Sequence, residues 1–211
     1  MNFNTEAAQE IDAYFEELRS LVDEPLLATN TPSDYVKQRL DDLGVVQHGA
    51  ATTVPWLSKE VCDTLINLAD RSEYEVNEEE PLDAQIPERV LAEHHPDEYT
   101  ALATAFFRDI EPIVQAVIGL EIASIESIQL AVYEADGDVP SGTYHTDEDS
   151  DVSVTIALND DYEGGGLHVL TGGIYSETLE LPKQAAGVST IFGGRIHVHK
   201  GLPVTWVNDT Y

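Results

Sequence analysis

His145-Thr146-Asp147 sets an imidazole and a carboxylate two residues apart, between a Gly/Pro/Ser-bearing loop (135–142) and an alternating run at 152–158. In extended backbone, residues i and i+2 share a face, so the two side chains can converge on one point. Fifty-four residues after His145 stands His199, two behind His197, within Gly193-Gly194-Arg195-Ile196-His197-Val198-His199-Lys200-Gly201-Leu202-Pro203-Val204-Thr205. A strand returning beside the first brings one of these two imidazoles to the His-Asp pair. Two imidazoles and one carboxylate on one face leave about three coordination positions open, the donor set of a facial Fe(II) centre. A structural zinc site would be closed by a fourth ligand, and none is evident.

The H-x-D spacing alone is weak evidence, because 7 His and 40 Asp+Glu give about one H-x-D/E by composition. The chain supplies a rival at His95-Pro96-Asp97. That rival reads as a helix start, with proline in the first turn and acids at the positive end. The single cysteine, Cys62, allows no internal disulfide and no thiolate cluster, and reads as a small buried hydrophobe.

The elements that must position the triad change character along the 211 residues. Apolar residues at Ala8, Ile11, Tyr14, Phe15, Leu18, Leu21 and Val22 predict a helix over 5–23. A second is predicted from Thr31-Pro32-Ser33 to Leu43, stopped by Gly44. A third starts at Ser58-Lys59-Glu60 and presents Val61, Leu65, Ile66 and Leu68. Residues 74–90 are acidic and Pro-bearing, a loop in the place of a substrate lid. A long helix from Pro96 to Gly119 follows, with a kink expected at Pro112. From Ile125 the period becomes two: SIQLAVYEA, VSVTIAL, GLHVL, ETLEL, GVSTIF, RIHVHK and PVTWV read as short strands between Gly, Asn and Asp turns. Helices first and short strands after predict an α+β chain ending in an antiparallel barrel or sandwich.

At this point the ordered motifs resemble a known family. His145-Thr-Asp147, Val-Thr-Ile-Ala-Leu-Asn159, Asp161-Tyr-Glu-Gly-Gly-Gly166 and His199-Lys-Gly-Leu-Pro-Val-Thr resemble the Fe(II)/2-oxoglutarate dioxygenases of the prolyl/lysyl hydroxylase superfamily, particularly the procollagen lysyl hydroxylases. The resemblance covers about residues 125–211; earlier, only Val54-Pro-Trp-Leu-Ser-Lys-Glu-Val-Cys-Asp-Thr-Leu-Ile resembles the family's entry helix. It implies a double-stranded β-helix (jelly-roll) barrel with N-terminal supporting helices, an N-terminal helical segment at 1–53 and a dioxygenase domain at 54–211. It also implies His145, Asp147 and His199 as metal ligands, with Tyr133 and Thr155 contacting 2-oxoglutarate. His168 is expected on the barrel wall or in solvent, and His197 on the same strand and face as His199. The triple glycine 164–166 reads as turn architecture. The implied reaction hydroxylates a protein side chain, lysine or proline favoured, with release of succinate and CO2. Ascorbate is an accessory reductant that the resemblance admits. The alternatives are a metal-binding jelly-roll module without turnover, or a hydroxylase of a free amino acid or small metabolite.

One motif departs from the family. A basic residue is expected about ten positions after the distal histidine, where this chain has Asp209 and Thr210. The family's last core strand is not evident before Tyr211 either. A longer native product, another cation such as Lys183 or Arg195, or lost co-substrate binding would each account for it.

Charge narrows the partners. Ten Lys+Arg against 40 Asp+Glu give a formal charge of −30. That field repels phosphate backbones and anionic membranes, so neither nucleic acid nor a membrane is an expected partner. It suits a basic peptide, protein or small-molecule substrate, and equally the acidic surface of a salt-adapted protein. The N-terminus has no basic start or apolar run and no segment reaches about 20 apolar residues, so the expected location is cytoplasmic.

Overall fold

A computed structural model describes residues 3–20, 34–76, 78, 85–135, 141–172 and 177–205. In α1 (Thr5–Ser20) the three-to-four spacing buries Ala7, Ala8 and Ile11 and leaves Glu6, Gln9 and Asp12 in solvent. The expected positions Leu21 and Val22, and the expected helix start at 31–33, lie outside the described residues. Helix α2 (Asp34–Asp42) buries Val36 and Leu40. Its Arg39 ties the two helices together, 3.0 Å from Glu10 and 2.7 Å from Asp42.

Two strands follow that the sequence reading assigns to no element, β1 (Val46–Gln47) and β2 (Ala51–Pro55). Helix α3 (Lys59–Ile66) begins where Ser58 Oγ accepts the Val61 N–H at 3.3 Å, an N-cap. Its buried stripe is Cys62 and Leu65. Val61 and Ile66, expected inside, stay 39% and 41% exposed, because two turns present only one narrow stripe.

The acidic stretch 74–90 is not all loop. Glu75 bridges Glu88, and β3 (Glu88–Val90) runs on into the short helix α4 (Leu91–His94). Residues 77 and 79–84 of the expected lid lie outside the described residues. The single long helix expected at 96–119 is two, α5 (Pro96–Asp109) and α6 (Glu111–Ile118), meeting at Ile110. Pro112 falls in the first turn of α6, where a missing N–H costs no helical bond. The proline therefore starts a helix instead of bending one.

The second half supplies β4 (Gln129–Ala131), β5 (Ser153–Ile156), β6 (Glu163–Gly164), β7 (Gly166–Leu170), β8 (Thr178–Pro182), β9 (Val188–Phe192), β10 (His199–Gly201) and β11 (Val204–Thr205). All pairings are antiparallel: β1-β2-β9-β5, β10-β7-β8, β11-β6 and β3-β4. Among the described residues these are four separate sheets and not one closed barrel. All three residues of the triple glycine have positive φ, at 70°, 67° and 107°, as turn architecture requires.

The period-two pattern explains the layering. On one face of the four-stranded sheet, Val54, Val154, Ile156 and Ile191 pack against Ala7, Ile11, Val36, Leu40, Ile113 and Val114 of the helices. On the other, Ala51 and Phe192 pack against Leu167, Val169 and Leu181 of the three-stranded sheet. Helices, sheet and second sheet thus form three layers, and each fully buried Ile or Val contributes about 1.5–3 kcal/mol. A third cluster, around Leu65, Leu91 and Leu130, fastens α3, α4 and β4. No helix among the described residues is long and apolar enough to cross a membrane.

Candidate metal centre

At one end of the two facing sheets, His145 and His199 form an isolated antiparallel bridge. Each N–H donates to the other's carbonyl, at 3.0 and 2.9 Å, and the rings lie 4.4 Å apart. The His199 ring also meets Phe192 at 4.6 Å, which seats it on the inner face of β10. Asp147 arrives by another route. Its N–H donates to the Gly194 carbonyl at 3.1 Å, and its own carbonyl accepts the Ser150 N–H at 3.0 Å.

The side chains converge. His145 Nε2 lies 3.4 Å from Asp147 Oδ1, and His199 Nε2 lies 3.6 Å from Asp147 Oδ2. One ligand atom from each residue falls within 4.8 Å of the others. His145 is exposed, Asp147 half-buried and His199 buried, so the cluster opens to solvent on one side.

The protonation pattern follows from the neighbours. His145 Nδ1 faces the Thr143 carbonyl at 2.8 Å and His199 Nδ1 faces the His197 carbonyl at 2.9 Å. A carbonyl can only accept, so each Nδ1 carries a proton, and each Nε2 is the ring atom turned inward and able to bind a metal once it is proton-free. Burial pushes the His199 pKa below the ordinary imidazole value. Hydrogen bonding from His145, then from the Ser153 hydroxyl, holds the Asp147 carboxyl below its usual range. This donor set, two oriented imidazoles and a carboxylate, fits a divalent transition metal.

His197 departs from its expected place. The expected strand 195–200 begins only at His199, and His197 sits in the preceding turn with its N–H on the Gly193 carbonyl at 3.1 Å. Its contribution is a backbone oxygen. His168 pairs with Lys200 on the outer face of the second sheet, where Tyr144 Oη lies 2.7 Å from His168 Nδ1. His95 begins α5 and receives Arg89 Nε at 3.0 Å.

Tyr133 follows β4 and reaches Gly201, where a Cβ would stand 3.1 Å from the phenol oxygen. Gly201 shares the inner face of β10 with His199, one row deeper. Burial, and then the charge of Glu88, raise the Tyr133 pKa. Thr155 lies opposite Thr190 of β9, which lies opposite Thr53 of β2, a row of hydroxyls on the face that also carries Ser153 and Phe192. Tyr133 thus lies against β10 two residues on from His199, and Thr155 shares a face of β5 with Ser153.

The two cations considered as replacement anchors are engaged elsewhere. Lys183 Nζ donates to the carbonyls of Tyr162 and, at 3.0 Å, Asp160. Arg195 pairs with Asp151 at 3.6 Å in the turn beside Asp147. Asp209 and Thr210 lie outside the described residues. Sequence reasoning missed Ser153, whose hydroxyl donates to Asp147 Oδ2, and the carbonyls of Thr143 and His197. Alternation had placed Ser153 on the face opposite Val152 and Val154, but nothing in the pattern marks a hydroxyl that will meet the carboxylate of Asp147.

No protein-family model matches the sequence, and no curated protein matches it. Among solved structures, the fold is similar to that of the non-heme alpha-ketoglutarate-dependent carbocyclase SnoK from nogalamycin biosynthesis. The TM-score is 0.56 at 14% identity, over 74% of this chain and 78% of that one. The likeness is one of fold: mixed helices and antiparallel sheets like those of a 2-oxoglutarate-dependent oxygenase.

Proposed function

We propose that this chain is an Fe(II)- and 2-oxoglutarate-dependent oxygenase whose metal is held by His145, Asp147 and His199. The observation that carries the reading is the orientation of the imidazoles: both Nδ1–H groups are committed to backbone carbonyls and both Nε2 atoms face one carboxylate. The fold likeness and the sequence motifs point the same way. On this reading the two facing sheets are the halves of a double-stranded β-helix. Iron with bound 2-oxoglutarate supplies the oxidation of substrate by O2, releasing succinate and CO2.

The chain's own residues do the positioning. The bridge fixes His145 against His199, while the 193–194 turn fixes Asp147. Tyr133 and Thr155 orient the co-substrate from the level below. The turn after Asp147 exposes Glu148, Asp149 and Asp151, and with the −30 charge this favours a basic substrate, a peptidyl lysine ahead of a peptidyl proline. A small-molecule substrate is the second reading, favoured by the carbocyclase activity named for the fold neighbour.

The test is anaerobic. Fe(II) and then 2-oxoglutarate are added to the parent chain and to His145→Ala, at low and high salt, and the visible charge-transfer absorption of the chelate is recorded. Absorption in the parent that vanishes in the variant is the expected result. Iron binding without that absorption would put the metal-binding module first.

A further inference from the structure

A carboxylate can hold a metal through one oxygen or through both, and the difference decides how many positions stay open. Asp147 faces the two histidines with different oxygens, Oδ1 toward His145 and Oδ2 toward His199. Free rotation about its terminal bond would let both oxygens reach a metal. The surroundings do not leave it free. Ser153, at the start of β5, donates its hydroxyl to Oδ2. Gly194 makes that approach possible: a Cβ there would run into Ser153 Oγ and stand 2.9 Å from Asp147 Oδ2. The Gly194 carbonyl meanwhile holds the Asp147 N–H at 3.1 Å. Carboxylate, hydroxyl and glycine turn form one packed unit.

We propose that Ser153, seated by Gly194, sets the denticity of Asp147. The hydroxyl pins the carboxylate plane and withdraws Oδ2 from the metal, so that Oδ1 is the single oxygen offered. With two imidazoles and one oxygen bound, three of six positions stay open, enough for a two-point chelating co-substrate and a third ligand. Ser153 is a positioning residue acting through Asp147. The inference rests on the proposed metal site and adds a determinant of its geometry.

Metal binding alone tests it, without turnover. Fe(II) under anaerobic conditions and Co(II) are titrated into the parent chain, Ser153→Ala, Ser153→Thr and Gly194→Ala, each first shown to unfold cooperatively without metal. Ser153→Ala is expected to bind Fe(II) about ten- to a hundredfold more weakly, the usual cost of losing a hydrogen bond behind a ligand. The Co(II) visible absorption, whose intensity falls as coordination number rises, should weaken as the freed oxygen joins the metal. Ser153→Thr should restore both readings, since it returns the hydroxyl on a strand-compatible side chain. Gly194→Ala should reproduce the loss with the serine still present. Parent-like affinity and an unchanged Co(II) spectrum in Ser153→Ala would overturn the proposal and leave the metal site standing. A parent chain that binds neither metal would overturn both.

Discussion

His95-Pro96-Asp97 and His145-Thr146-Asp147 carry the same two residue types at the same spacing, and the fold puts them to different uses. His95 and Asp97 straddle the start of α5, where successive side chains turn by about 100° per residue and i, i+2 neighbours point apart. His95 Nε2 is occupied by Arg89 Nε, and Asp97 faces the positive end of the helix. His145 belongs to an antiparallel bridge, a turn from elsewhere in the chain accepts the Asp147 N–H, and the Ser153 hydroxyl holds its carboxylate. Spacing marks a ligand pair only where the backbone is extended and a third donor has a strand to arrive on.

The largest effects should separate these two regions. His145→Ala, Asp147→Ala and His199→Ala should each lower Fe(II) affinity more than a hundredfold in anaerobic calorimetry, since each removes one of three donors. The double variant His95→Ala/Asp97→Ala should bind Fe(II) as the parent does. Equal losses in both regions would erase the distinction and point to nonspecific binding by the acidic surface.

Stability should show the opposite ordering. Close to the helical region, the 2%-exposed Asp109 receives Trp56 Nε1 at 3.1 Å and Arg108 Nε and Nη2 at 2.6 Å each. Removing the guanidinium with Arg108→Ala leaves a buried carboxylate with less compensation. Loss of a fully buried partner costs about 3–5 kcal/mol, and since Arg108 is half exposed the expected loss is nearer 2 kcal/mol. Urea unfolding should register it while Fe(II) affinity stays put. A variant that lost affinity in proportion to stability would show that the centre and the helical layer are one cooperative unit.

What the sequence discloses follows the same logic. Strand β5 was legible because Val154 and Ile156 alternate with Ser153 and Thr155, and β9 because Val188, Thr190, Ile191 and Phe192 form a β-branched and aromatic run after Gly187. Strand β2 was not, because Ala51, Thr52, Thr53 and Val54 are buried on both faces and lose the alternation that betrays a strand. In α3 the buried reading of Cys62 and the stripe position of Leu65 held, whereas Val61 and Ile66 of the same apolar tally stay partly in solvent. Around the candidate metal centre, His145 and Asp147 were readable from type and spacing, and the family resemblance chose His199 over His197. The groups that aim them, a serine hydroxyl and two carbonyls, were not, since a backbone oxygen has no letter in the sequence.

A smaller effect tests the level beneath the triad. Gly201 leaves room for the Tyr133 hydroxyl, so Gly201→Val should displace the ring, and Tyr133→Phe should remove its donor while keeping the ring. Both should weaken 2-oxoglutarate in the anaerobic absorption titration, Tyr133→Phe by about tenfold for one charge-assisted hydrogen bond, with Fe(II) affinity unchanged. Unchanged co-substrate affinity in both variants would assign that space to packing.

The smallest effect is a pH dependence of the metal-free protein. Burial depresses the folded-state pKa of His199 below its unfolded value near 6.5. The unfolded chain therefore binds the proton first as pH falls, and stability declines below about pH 6.5 until the folded-state pKa is passed. Asp147, also depressed, adds a decline at lower pH, below about 4, as its folded-state pKa is approached. The His199 window opens at higher pH than the Asp147 window, so the decline between pH 7.5 and 5 reads His199 without Asp147. Urea unfolding of metal-free parent and His199→Ala between pH 7.5 and 5 should show the parent losing stability more steeply, with the difference vanishing above pH 7. Parallel slopes would mean that His199 is protonated as easily inside the fold as outside it. The Nε2 of His199, which unlike that of His95 has no guanidinium donating to it, would then owe its readiness for a metal to orientation alone and not to burial.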